Sequence, residues 1–212
     1  MNKKFLPLSA TAFAVAIALA GCAGGSGTGS PATSSAGMDH GSSSATATST
    51  ATSSTAAAAD HNAADVTFAQ MMIPHHTQAV EMSDMMLKKD GIPAPVTALA
   101  TTIKAAQGPE IQTMTGWLSG WNEPAMMPAG HAGHSMNGMM SDADMKALDA
   151  AKGTEAARLF LKQMIAHHEG AIMMAKTENT AGKNADAVKL SKDIVTAQEA
   201  EIQEMQKLLA TL

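Results

Sequence analysis

FAQMMIPHHTQAVEM, residues 68–82, returns 92 positions later as FLKQMIAHHEGAIMM, residues 160–174. Phe68, Met72, Ile73, His75, His76, Ala79 and Met82 align with Phe160, Met164, Ile165, His167, His168, Ala171 and Met174. A second pair of blocks, 103–118 and 194–209, repeats at an offset of 91. It aligns Ile103, Ala106, Gln107, Glu110, Ile111, Gln112, Met114 and Leu118 with Ile194, Ala197, Gln198, Glu201, Ile202, Gln203, Met205 and Leu209. Two blocks repeated in the same order describe one duplicated two-element unit. The one-residue slip falls at 91–95 and 181–184, where Gly, Pro and Asn carry turn chemistry.

Both blocks have helical period. At about 100° per residue, Met72, His75, Ala79, Met82 and Met86 lie within about 40° of Phe68, while Gln70, Thr77, Glu81 and Lys88 face away. Pro74 sits inside this stripe, but its repeat partner is Ala166 and the period runs through, so a kink with a freed carbonyl near Gln70 is expected rather than a break. Each unit therefore reads as an αα-hairpin, and the pair as an all-α four-helix bundle. The predicted helices span 62–89, 94–121, 154–180 and 184–211, giving repeat one at 62–121 and repeat two at 154–212. A connection at 122–153, with a short helix near 142–151, is long enough for either a simple loop or a crossover, so the topology stays open.

Outside the repeats the chain changes character. Lys3 and Lys4 precede an apolar stretch that ends Leu19, Ala20, Gly21, Cys22, so residues 1–21 read as an export signal. The ending resembles a lipobox, in which the sole Cys22 is the lipid-attachment residue of a bacterial lipoprotein. Cleavage there removes both lysines and takes the charge from −5 to −7. Residues 22–59, almost wholly Gly, Ser, Ala and Thr, read as a disordered tether, and 60–212 as the domain. The expected location is the bacterial envelope, lipid-anchored and facing the periplasm or outer surface. No basic cluster follows residue 4, so nucleic acid is excluded as a partner. One cysteine rules out a disulfide framework or a Cys-based metal site.

The inward stripes carry polar residues. With Ile103 as origin, Gln107, Glu110 and Met114 face the core, as do Gln198, Glu201 and Met205 in the second copy. Counted from each turn, His75 stands level with Glu110 and His167 with Glu201, so each hairpin can bring one His and one Glu together. His76 and His168 lie about 80° off the stripe and read as supporting or surface residues. A buried carboxylate needs a partner. The bland possibility is a His–Glu bond that fixes helix register. The functional one is a metal site flanked by Met72, Met82, Met114 and their partners Met164, Met174 and Met205. Such a site is expected to weaken as its histidines protonate.

After residue 22 there are 17 Met against 10 Leu, an inversion of normal core usage. Met126, Met127, His131, His134, Met136, Met139, Met140 and Met145 crowd the connection, where no core needs filling, and form a secondary cluster suited to Cu(I). Imidazole with carboxylate suits Cu(II) or zinc, but zinc alone would not explain the sulfur.

The doubled Met-Ile-x-His-His motif at 72–76 and 164–168, each followed by Gln-x-x-Glu-Ile-x-x-Met, resembles the bacterial domain-of-unknown-function family 305 over about residues 60–212. The resemblance implies a ferritin-like helical bundle. It also implies copper handling of the kind seen in the CopM proteins of the cell envelope, with His75, His76, His167, His168, Met72 and Met164 as candidate ligands. The expected function is sequestration or shuttling of Cu(I) or Cu(II), with a copper-transfer protein as a possible partner and the membrane touched only through the lipid. No catalysis is expected. The alternatives are a metal-dependent oxidase, disfavoured because no Glu-x-x-His pair occurs, and a metal-free structural or methionine-rich antioxidant module.

Overall fold

The computed structural model describes residues 60–126 and 137–212. Five helices follow in chain order: α1 (Ala63–Leu87), α2 (Ala94–Trp121), α3 (Asp142–Ala150), α4 (Gly153–Ala181) and α5 (Ala185–Thr211). The four long helices match the predicted spans to within two residues at each end, because their boundaries carry local signals. Asn62 caps α1 through Ala64 and Asp65, with Asp65 returning the bond to the Asn62 N–H. Pro93 and Pro95 flank the start of α2, left-handed Asn122 ends it, and Asn184 caps α5. Both α1 and α2 run on as α-helix through their internal prolines, Pro74 and Pro109.

The hairpins α1/α2 and α4/α5 pack through their first helices, α1 against α4, whereas α2 and α5 touch only lightly. The connection is a crossover. It leaves α2 beside the start of α1, where Trp121 stacks on His61, and enters α4 at Gly153, against Gly91 in the α1–α2 turn. The second hairpin therefore runs opposite to the first. The end of α4 returns to the start of α1, with Asn62 Nδ2 donating to the Ala181 carbonyl at 2.9 Å.

Two apolar clusters fill the bundle. One holds Met82, Met86, Ile103, Phe160, Leu161, Met164 and Met205; the other holds Phe68, Met72, Met114, Leu118, Ala171 and Ile194. Between the two clusters each long helix places buried polar residues: His75 and His76 on α1, Gln107 on α2, His167 and His168 on α4, and Gln198 on α5. Repeat-equivalent residues exchange clusters, Met72 with Met164 and Met114 with Met205, so the hairpins are related by a local twofold through the polar layer. Met140 and Met145 pack against the first cluster. This corrects the sequence expectation that no core needs methionine in the connection.

Candidate metal centre in the polar layer

His75, His76, His167 and His168 are all fully buried in the layer that divides the core. His75 and His167 meet across the α1/α4 interface with ring centroids 3.7 Å apart, on the local twofold. The glutamates pair with the other two rings. His76 Nε2 lies 2.8 Å from Glu110 Oε2 and His168 Nε2 lies 2.7 Å from Glu201 Oε2.

Three sequence expectations change here. The partners of Glu110 and Glu201 are His76 and His168, not His75 and His167. His76 and His168 are core residues, not surface ones. The glutamates remain in touch with solvent, with side chains 23% and 15% exposed. The physical reason is the width of the buried arc. A single apolar stripe assumes one neighbour, but α1 has α4 on one side and α2 on the other. Adjacent residues about 100° apart can then both be inward, one facing each neighbour.

Burial drives the His75 pKa down to about 3, helped by the nearby charge of His76 and opposed by the Asn137 carbonyl. Burial lowers His167 further, together with the charges that His75, His168 and His76 would carry. Both rings are therefore neutral across the physiological range. The expected loss of metal affinity through their protonation moves out of that range, and binding by these two imidazoles should be flat between about pH 5 and 8.

The layer is short of hydrogen bonds. His75 Nδ1, His76 Nδ1, both nitrogens of His167, His168 Nδ1, both amide atoms of Gln107 and Gln198 Oε1 are buried without a partner among the described residues. Leaving one such atom bare costs about 1–3 kcal/mol, so the layer offers eight buried donors and acceptors that a bound ion or water would satisfy. Among the described residues no three His, Cys or carboxylate groups converge as a ligand set. A metal held here therefore draws on sulfur beside imidazole. Met72 and Met164, one turn from the paired rings and fully buried, are suitably placed. Met82, Met114 and Met205 are buried in the flanking clusters, while Met174 is half-buried and lines an outer groove with Met71.

A strap closes the layer over α1 and α4. The Gln78 side-chain amide clamps Met140, donating to its carbonyl at 2.9 Å and accepting from its N–H at 2.7 Å. Asn137 then presents its carbonyl to His75 Nε2 at 3.3 Å. Gly170 makes this approach possible, because a Cβ there would lie 1.8 Å from the Asn137 oxygen. Gly138 turns the chain at φ 84°. Gln78, Asn137, Gly138 and Gly170 escaped the sequence reading. Yet Gln78 and Gly170 are repeat partners that differ, and a glycine inside a helix was a usable signal. Gly170→Ala is expected to lift the strap, cost about 1–3 kcal/mol in chemical denaturation, and expose His75 to modification by diethyl pyrocarbonate. Unchanged stability and reactivity would contradict this account.

Of the secondary cluster, Met126 is 77% exposed, Met139 is half-buried and Met140 is pinned by Gln78. Met127, His131, His134 and Met136 lie outside the described residues, as do Cys22, the export signal and the tether. Among the described residues no helix is long and apolar enough to cross a membrane.

The arrangement has relatives. A family profile described as "Domain of unknown function (DUF305)" matches residues 65–209. A DUF305 protein of Streptomyces coelicolor is 36% identical, with a TM-score of 0.65 over 70% of this chain and 91% of that one. A DUF305 fragment from Deinococcus radiodurans is 30% identical, with a TM-score of 0.65 over 71% and 98%. CopM in its Cu(II)-bound form is 35% identical, with a TM-score of 0.59 over 69% and 96%. CopM in its Cu(I)-bound form is 33% identical, with a TM-score of 0.58 over the same 69% and 96%. No curated protein sequence matches the chain.

Proposed function

We infer that this chain, which belongs to the DUF305 family, binds copper in its polar layer and serves the cell envelope by sequestering the metal or passing it on. The observation that carries the reading is the set of eight bare polar atoms around His75 and His167, flanked by buried thioethers of Met72 and Met164. Imidazole and thioether together are a soft donor set that suits Cu(I), and neutral imidazole also accepts Cu(II). The solved CopM structures with Cu(I) and Cu(II) support the choice of metal.

Storage or transfer fits better than redox catalysis. A ferritin-like di-iron site draws on four glutamates and two histidines, whereas one glutamate per hairpin reaches this layer and each is occupied by a histidine. An oxidant sink must offer sulfur to solvent; Met126 and Met173 do so, whereas Met72, Met82, Met86, Met114, Met164 and Met205 are fully buried, so the sulfur beside the polar layer is not placed for that role. The proposed anchor is lipid on Cys22, with residues 23–59 as a tether that lets the bundle reach a donor or acceptor.

Titration of the protein with Cu(I) and Cu(II) in competition with a chromophoric chelator tests this reading. His75→Leu/His167→Leu is expected to remove the tightest copper while leaving weaker binding by the connection. A folded double variant that keeps every copper ion at unchanged affinity would make the rings register-fixing core residues and end the proposal.

A further inference from the structure

At the end of the bundle remote from the α1–α2 turn, a histidine is held as a ligand would be. The His61 ring lies flat on Trp121, with centroids 4.5 Å apart and planes 9° from parallel, and Trp121 stacks in turn on Trp117 at 6.0 Å. His61 Nδ1 donates to Asp60 Oδ1 at 3.1 Å. That bond fixes the tautomer, so Nε2 carries the free lone pair, and it makes no hydrogen bond among the described residues. A carboxylate on one ring nitrogen and an open lone pair on the other is how metal-ligating histidines are usually oriented.

A carboxylate lines the same cleft as the ring. His61 and Glu123 line one cleft of about 320 Å³, together with Asn62, Ala63, Val66 and Thr67. The Glu123 carboxylate has no hydrogen bond or ion pair among the described residues, and no Lys or Arg lines the cleft to compete for it. Asp60 adds a further negative charge beside the ring. Nothing in α1 requires this arrangement, since Asn62 already caps the helix.

We propose that His61 and Glu123 form a second metal site, distinct from the polar layer, that takes a borderline divalent cation with water completing the coordination. A nitrogen and oxygen donor pair without sulfur selects Cu(II) over Cu(I), and the general order of affinities places Cu(II) ahead of Zn(II). The site lies in the opening between the start of α1 and the chain leaving α2, so it meets copper from solvent before the closed layer does. It does not depend on the copper reading of that layer.

The chain contains two tryptophans, Trp117 and Trp121, and Trp121 is in ring contact with His61, so the site carries its own reporter. Titrating the full chain with Cu(II) sulfate should quench tryptophan emission saturably. His61→Gln should abolish the saturable phase, Glu123→Gln should raise its midpoint, and Asp60→Asn should raise it by about tenfold. His75→Leu/His167→Leu should leave it intact. Circular dichroism checks that each variant folds, and Glu123→Gln keeps the test independent of the ring stack. Absence of quenching in the parent, or an unchanged midpoint in both His61→Gln and Glu123→Gln, would overturn the proposal. If only the His75/His167 variant loses the quench, the signal reports the polar layer, and the outer site is refuted while the inner one stands.

Discussion

The stability of the metal-free protein is expected to peak near pH 6.5 and to fall on both sides for different reasons. On the acid side the agents are His75 and His167, which titrate at an ordinary 6.5 when unfolded and far lower when folded. The unfolded chain then binds more protons, so stability is lost as pH falls through 6.5, at up to about 2.7 kcal/mol per pH unit for two groups. On the alkaline side the agent is Glu178, 1% exposed near the end of α4. Burial first, then its hydrogen bond to Asp65 and the charge of Asp65, push Glu178 from 4.5 up to about 8. Its stabilising contribution is complete below pH 4.5 and disappears as pH rises through 8, at up to about 1.4 kcal/mol per pH unit.

Asp65 shows why Glu178 stays protonated. Burial would raise Asp65, but the hydrogen bond from Glu178 and the backbone N–H groups of Asn62, Asn184 and Lys183 outweigh it and hold the carboxylate below its ordinary value. Those N–H groups lie 2.6 to 3.2 Å from its oxygens, so one carboxylate ties the start of α1 to the α4–α5 turn. Between pH 4.5 and 6.5 the histidine pair outruns Glu178 and stability still rises. Above 6.5 Glu178 acts alone. Urea denaturation from pH 4 to 9.5 should trace this profile, with Glu178→Gln flattening the alkaline limb and steepening the rise between pH 4.5 and 6.5. A variant that keeps the alkaline fall would show that another group causes it.

Replacing both paired rings should reverse the order of stability with and without copper. In the metal-free state His75→Leu/His167→Leu is expected to be more stable than the parent by about 1–3 kcal/mol, because three bare buried nitrogens give way to apolar atoms of similar bulk. The Asn137 carbonyl that loses His75 belongs to an exposed residue, so water can satisfy it. With copper at about a hundredfold excess over Kd, the parent should gain about 2.7 kcal/mol and the variant nothing from this site. Denaturation midpoints with and without copper decide the matter. A variant less stable than the parent without metal would mean that the rings hold the bundle together. An equal copper gain in both proteins would place the metal elsewhere.

The departures from the internal repeat explain what these experiments probe. Asp65 and Glu178 stand opposite Ala157 and Met86, which both lie in the first apolar cluster, so one end of the bundle has a carboxyl pair where the other has hydrocarbon. Gln78 and Gly170 differ because the strap crosses the twofold only once. These two breaks in the repeat mark places where the α4–α5 turn and the connection touch the duplicated core.

The sequence alone determined the helices, their ends, the pairing into hairpins and the height of the polar layer. Those properties depend on local quantities: a 3.6-residue period, caps, turn residues and rise per residue. Tertiary structure decided the rest. The crossover follows from where α4 docks, and the pairing of His76 with Glu110 and His168 with Glu201 follows from α1 and α4 each having two neighbours. His75 and His167 meet because the repeats face each other in opposite directions. No periodicity within one helix carries that information, because it belongs to the angle at which two helices are seen by a third.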